Sequence, residues 1–115
     1  MKKYIVRINL DKEKYLELIK ENPTKQIKSW DGVSPLYGAG KCYSLRFTPK
    51  LEMAMQYNKE DDAYHYAYNC VDDCYSPNLP IINAEVVQIE FIPREIGIPK
   101  IYIPKRKYNK KIALL

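Results

Sequence analysis

The run Ile81 to Ile92, IINAEVVQIEFI, constrains this chain more than any other stretch. Val87, Ile89 and Phe91 alternate with Val86, Gln88 and Glu90, and both sets carry apolar residues. A run of that kind reads as a strand near the centre of a sheet, apolar on both faces. Pro93 closes it, and the turn cluster Ser76-Pro77-Asn78-Leu79-Pro80 precedes it. Any fold for this chain must therefore place a long strand late in the sequence and bring earlier elements to it.

The first of those elements is Lys3 to Leu10, where Tyr4, Val6 and Ile8 share one side and Ile5, Arg7 and Asn9 the other. Asp11 then caps a helix running to about Asn22. Leu10 before the cap and Tyr15 inside it form a hydrophobic staple, Tyr15, Leu18 and Ile19 supply the buried stripe, and Pro23 ends the helix. Thr24 to Tyr37 has no sustained period and reads as a long loop carrying Trp30.

Leu36 to Asn58 combines loop, strand and capped helix. Gly38 and Gly40 flank Ala39; Tyr43, Leu45 and Phe47 alternate with Cys42, Ser44 and Arg46, which predicts a strand over 41–47 with the former set buried. Thr48 followed by Pro49 predicts a helix start, with Leu51, Ala54, Met55 and Asn58 marking its faces. Asp61 to Tyr75 fits two templates. At period two, Tyr64, Tyr66, Tyr68 and Cys70 share a face; at a helical period Ala63, Ala67, Cys70 or Val71 and Cys74 do. The aspartates at its start and the Ala spacing favour a helix. Lys100 to Ile103, between Pro99 and Pro104, reads as a short edge strand.

These elements predict an α+β fold: a single small domain over residues 1–104, with a mixed sheet of about four to five strands and two to three helices, followed by a basic C-terminal tail over 105–115. A chain of 115 residues has room for one core, and its 46% hydrophobic content is that of a folded chain. No apolar run approaches the length of a membrane span, and the N-terminus enters a strand-like pattern, not a signal-peptide core. Three cysteines, an odd number, fit a reducing compartment, so a cytoplasmic location is expected.

The net charge of +5 is uneven. Glu60 to Asp73 holds five acids and no base, whereas Lys100, Lys105, Arg106, Lys107, Lys110 and Lys111 are unaccompanied by any acid. Lys105, Arg106, Lys107, Lys110 and Lys111 are thus the candidate contacts to a phosphate backbone or an acidic protein surface, or else a solvated tail. His65, Cys70 and Cys74 with Asp61, Asp62, Asp72 and Asp73 are metal-ligand residue types, but their spacing matches no zinc pattern and no metal is expected. Gly38-Ala39-Gly40-Lys41 precedes a strand, where a phosphate loop would join strand to helix.

Gly40, Tyr43 and Thr48, followed by Ala54 and Tyr57 and preceded by Arg7 on the first strand, form a pattern similar to the NAD-binding core of ADP-ribosyltransferase-like domains. The resemblance covers roughly the first 90 residues by order of elements. It implies a cofactor site at Arg7, Tyr43, Ser44 and Thr48, with Arg7 against the cofactor and Tyr43 stacked on nicotinamide, and NAD as the possible cofactor. The Ser-Thr-Ser run of one branch is absent, and no glutamate follows the last strands where that fold carries its catalytic acid. Glu90 is the catalytic candidate, with Glu85 and Glu95 the other stand-ins.

The competing expectation needs no catalysis. A short, lysine- and tyrosine-rich domain with an acidic segment and a basic end has the character of a phage or mobile-element protein. Such a protein acts as an inhibitor or sequestering protein, anti-defence in type, by binding a protein, a nucleic acid or a nucleotide. A transferase would bring Arg7, Tyr43 and a carboxylate together in a pocket; a binder would present an exposed charged or tyrosine-rich surface.

Overall fold

A computed structural model describes residues 2–21, 35–42, 44–72, 79–91 and 99–109. They form one open sheet of five strands with helices packed against it, the expected α+β domain. In chain order the elements are β1 (Lys2–Leu10), α1 (Lys12–Glu21), β2 (Leu36–Gly38), β3 (Phe47–Thr48), a single 3-10 turn (Leu51–Met53), α2 (Glu60–Asp72), β4 (Ile81–Phe91) and β5 (Pro99–Asn109). The sheet order is β3-β2-β1-β4-β5, so β4 lies beside β1 in the interior of the sheet. All its strand pairings are antiparallel, where a mixed sheet was expected.

The apolar residues on both sides of β1 and β4 sort into two layers. Val6, Ile8, Leu10, Ala84 and Val86 face the helices, together with Tyr15 of α1 and Ala63, Tyr66, Ala67 and Cys70 of α2. Ile5, Val87 and Ile89 face the other way and are covered by Ala54, with Leu51 and Tyr37 packed around them. The first layer is the main core. Spaced at i, i+3, i+4 and i+7, Ala63, Tyr66, Ala67 and Cys70 make the stripe that a helix needs, and the two alanines let α2 approach the sheet closely. Glu60, Asp61 and Asp62 in its first turn complement the helix dipole. Burial thus selects the helical template for this segment. Cys74 lies outside the described residues.

Asp11 begins α1 as its side chain predicts, its Oδ1 accepting the Lys14 amide at 3.2 Å, and Leu10 and Tyr15 share one cluster. The side chains of Leu18 and Ile19, with Pro23 and Trp30, lie outside the described residues. Leu36 and Tyr37, expected in a loop, pair with β1.

Three expectations fail. The strand expected over 41–47 is mostly a turn: the Ser44 amide bonds the Lys41 carbonyl at 2.9 Å, and only Phe47 and Thr48 pair with β2. The reason is a supply of side-chain partners. Tyr66 Oη donates to the Arg46 carbonyl at 2.7 Å and accepts its amide at 3.2 Å, Asn69 Nδ2 donates to the Cys42 carbonyl, and Tyr57 Oη donates to the Gly40 carbonyl. These bonds satisfy backbone groups that a ladder would otherwise hold.

The helix expected after Thr48 is also missing. Thr48 Oγ1 accepts the Lys50 amide at 3.1 Å, a local turn, and helical bonding stops after Leu51–Met53. The chain then extends, because the edge of β1 beyond β2 offers better partners: Tyr4 and Tyr57 exchange both backbone bonds, at 2.8 and 2.7 Å.

The third failure concerns the C-terminal region. Residues 105–109, expected in a tail, continue β5, which was expected to end at Ile103. Its register to β4 skips twice, leaving Lys100 and Lys105 as the extra residues of two bulges. Two prolines, two bulges and lysines are the means by which natural sheets protect an exposed edge from adding another strand. Among the described residues no helix is long and apolar enough to cross a membrane.

Candidate functional site

Residues paired across adjacent strands share a face, and one such row runs through the whole sheet: Thr48, Tyr37, Arg7, Glu85 and Lys107, one from each strand in spatial order. It lies on the face opposite α2. At its centre Arg7 Nη2 and Nε donate to Glu85 Oε2 at 2.6 and 3.2 Å, and Lys107 Nζ lies 3.3 Å from Glu85 Oε1. The Arg7 hydrogen bond holds the Glu85 carboxyl below its ordinary range; burial opposes this, and the charges of Arg7 and Lys107 add to it. Two cations share one anion, so the row keeps a positive excess.

One step along the strands, on the same face, Asn9, Asn83 and Asn109 form a second row across β1, β4 and β5. Asn9 Nδ2 donates to Asn83 Oδ1 at 2.7 Å. At this end of the sheet an open groove of about 360 Å³ is lined by Asp11, Lys14, Pro80, Ile81, Ile82 and Asn109. In the other direction the face becomes apolar through Ile5 and Val87 to Ile89, beside which Tyr102 is exposed. The Tyr102 phenol is pushed up first by burial and then by the neighbouring Tyr37.

Comparison of the chain with protein-family models, curated proteins and solved structures finds no match.

The residues singled out from the sequence do not all meet here. Arg7 and Thr48 share the row, two strands apart, but Thr48 is buried and its hydroxyl is engaged with Lys50. Ser44 is exposed in the turn preceding β3, and Tyr43 lies outside the described residues. Glu90 is on the opposite face, about 17 Å along β4 from Glu85 at roughly 3.4 Å per residue, where it accepts from Gln88 Nε2. The carboxylate beside Arg7 is Glu85.

The basic residues divide by face. Arg106 turns toward α2, donating to Glu60 Oε2 at 2.8 Å and to Asp61, with its guanidinium 4.9 Å from the Tyr64 ring centroid. Lys107 points to the opposite face. Lys105, at the bulge, is exposed, and Lys110 and Lys111 lie outside the described residues. Alternation along a continuous strand would have separated Arg106 from Lys107, but a strand ending at Ile103 hid it. Tyr37 was hidden in the same way by the loop assigned to it.

Cysteine chemistry finds little support in the geometry. Burial pushes both the Cys42 and Cys70 thiols up, which disfavours the thiolate that would react. His65 stacks on Tyr68, with ring centroids 6.4 Å apart. Among the described residues no three metal-ligating side chains converge.

Proposed function

We propose that this chain is a binding protein that captures nucleic acid on the polar face of its sheet and acts by sequestering it. The row from Thr48 to Lys107 carries the reading: it sets arginine, lysine and a tyrosine ring side by side on a face that no described α-helix covers. Lysine and arginine neutralise phosphates, and aromatic rings stack on bases. Tyr37 and Tyr102 supply rings on this face; Lys107 and the bulged Lys105 supply charge along its border. The chain's net charge of +5 has the matching sign.

The bulges and prolines of β5 argue against strand addition to a protein partner as the binding mode.

The test is fluorescence anisotropy with labelled DNA and RNA oligonucleotides over a range of salt. Affinity should fall steeply as salt rises, and Lys105→Ala or Lys107→Ala should each reduce the log–log salt slope by about one. If nucleic acid does not bind but NAD raises the melting temperature independently of salt, the nucleotide-binding reading replaces this one.

A further inference from the structure

We infer that Asn9, Asn83 and Asn109 form a subsite that hydrogen-bonds the edges of unpaired nucleobases, so that the ligand of this face is single-stranded nucleic acid. The inference rests on the proposed binding function and specifies its ligand.

Asparagine is depleted in strands because its side chain competes for backbone hydrogen bonds and packs poorly on a pleated surface. Here three lie in register on adjacent strands, one residue from the end of β1, two from the start of β4 beside the β1–β4 bulge, and at the end of β5. Strand ends and a bulge accommodate asparagine singly; they do not require three of them aligned on one face.

The hydrogen-bond inventory points the same way. The trio spends one side-chain bond internally, Asn9 Nδ2 to Asn83 Oδ1. Among the described residues the Asn83 amide nitrogen, the Asn9 carbonyl oxygen and the whole Asn109 amide have no side-chain partner. Each amide offers a donor and an acceptor in one plane, the arrangement that pairs with the edge of a base. Two strand spacings place Asn9 and Asn109 about 10 Å apart, and the Arg7–Lys107 row lies two residues, about 7 Å, along the strands. Cations and amides are thus offset as phosphates and bases are along a strand.

Width disfavours the duplex. β2 pairs β1 only at Arg7 and Ile8, so the asparagine row crosses three strands, about 10 Å between the outer axes before side chains are added. The major groove, about 12 Å wide, admits a two-stranded ribbon, so unpaired bases can meet all three amides where paired ones cannot.

The experiment compares three oligonucleotides of equal length with the full chain: a single strand, the same sequence as a duplex, and an abasic single strand that keeps the phosphates. The single strand should bind about tenfold or more tighter than the abasic strand, the order of one good amide–base pair. Asn109→Ala, which leaves the Asn9–Asn83 bond intact, and Asn83→Ala should each erode that preference while leaving the salt-dependent binding of the abasic strand unchanged. Equal binding of base-bearing and abasic strands, preferred binding of the duplex, or a preference that survives both substitutions overturns the subsite and leaves the polyanion-binding function standing. Absence of salt-dependent binding to any of the three overturns both.

Discussion

A Cβ added to Gly38 would lie 2.4 Å from Cε1 of Tyr66, so the ring of α2 rests directly on the β2 backbone. That contact lets the Tyr66 hydroxyl reach past the sheet edge and hold both backbone groups of Arg46. Tyr66 is fully buried and cannot swing aside. Gly38→Ala should therefore destabilise the domain by about 1–3 kcal/mol, the usual cost of overpacking, through a clash and not through backbone strain. Thermal denaturation followed by circular dichroism measures it as a fall of several degrees. In a double-mutant cycle with Tyr66→Leu the two effects should be strongly non-additive.

Glu85 makes the stability of the sheet sensitive to acid. Its carboxyl titrates below the ordinary 4.5 in the folded chain because Arg7 donates to it. A carboxyl depressed on folding contributes stability that is present above its unfolded value and lost as pH falls through the folded one. Urea denaturation at pH 7 and pH 3 should show this loss. Glu85→Gln should cost about 1–2 kcal/mol at neutral pH and flatten the acid limb. An acid limb identical in the two proteins would assign it to other carboxylates.

Arg106 and Tyr108 fasten β5 to α2. Arg106 bonds Glu60 and Asp61 beneath the Tyr64 ring, and Tyr108 donates to Asp72 while meeting Tyr68 edge-on with centroids 5.3 Å apart. Arg106→Ala should accelerate amide hydrogen exchange over 105–109 and leave the protection of β4 opposite β1 unchanged. Unchanged exchange in β5 would mean that the β4 ladder alone secures the strand.

Tyrosine ionisation offers an independent reading of the core. Burial pushes the Tyr57 and Tyr66 phenols up, and the hydrogen bond to Asp72 pushes Tyr108 up to about 12. In an alkaline titration followed by phenolate absorbance these three should lag behind the rest of the eleven tyrosines. Tyr108→Phe should remove one late step. A raised phenol stabilises the fold below its ordinary value of 10 and ceases to do so as pH rises through the folded value, so unfolding should accompany the last steps. Release of all tyrosines near the ordinary value would contradict the packing around α2.

The elements with a long and uniform period are legible in the amino-acid sequence. Alternation in Lys3–Leu10 and Ile81–Ile92 identifies β1 and β4, and Asp11 marks the start of α1. Short segments are not legible in this way. Seven alternating residues over 41–47 and a Thr-Pro start at 48–49 are sound local signals, yet both lose to partners distant in sequence. Tyr66 and Asn69 of α2 take up the backbone of the turn, and the edge of β1 draws Tyr57 into a bridge. The same limitation governs the site. Arg7 is identifiable as a charged residue on a strand, but its partner Glu85 follows only from the register of β1 against β4, 78 positions apart in the chain.

The amino-acid sequence by itself determined the α+β class, the two central strands, the acidic start of α2 and the basic character of the C-terminal region, because each depends on residues near one another in the chain. Tertiary structure decided which of two templates Asp61 to Asp72 adopts, how far β5 extends, and which polar residues stand in one row across five strands. Those outcomes depend on which backbone groups find hydrogen-bond partners and which side chains are buried once the sheet has assembled. No local pattern contains that information, since a shift of one residue in register would send Arg7, Glu85 and the asparagines to the other face.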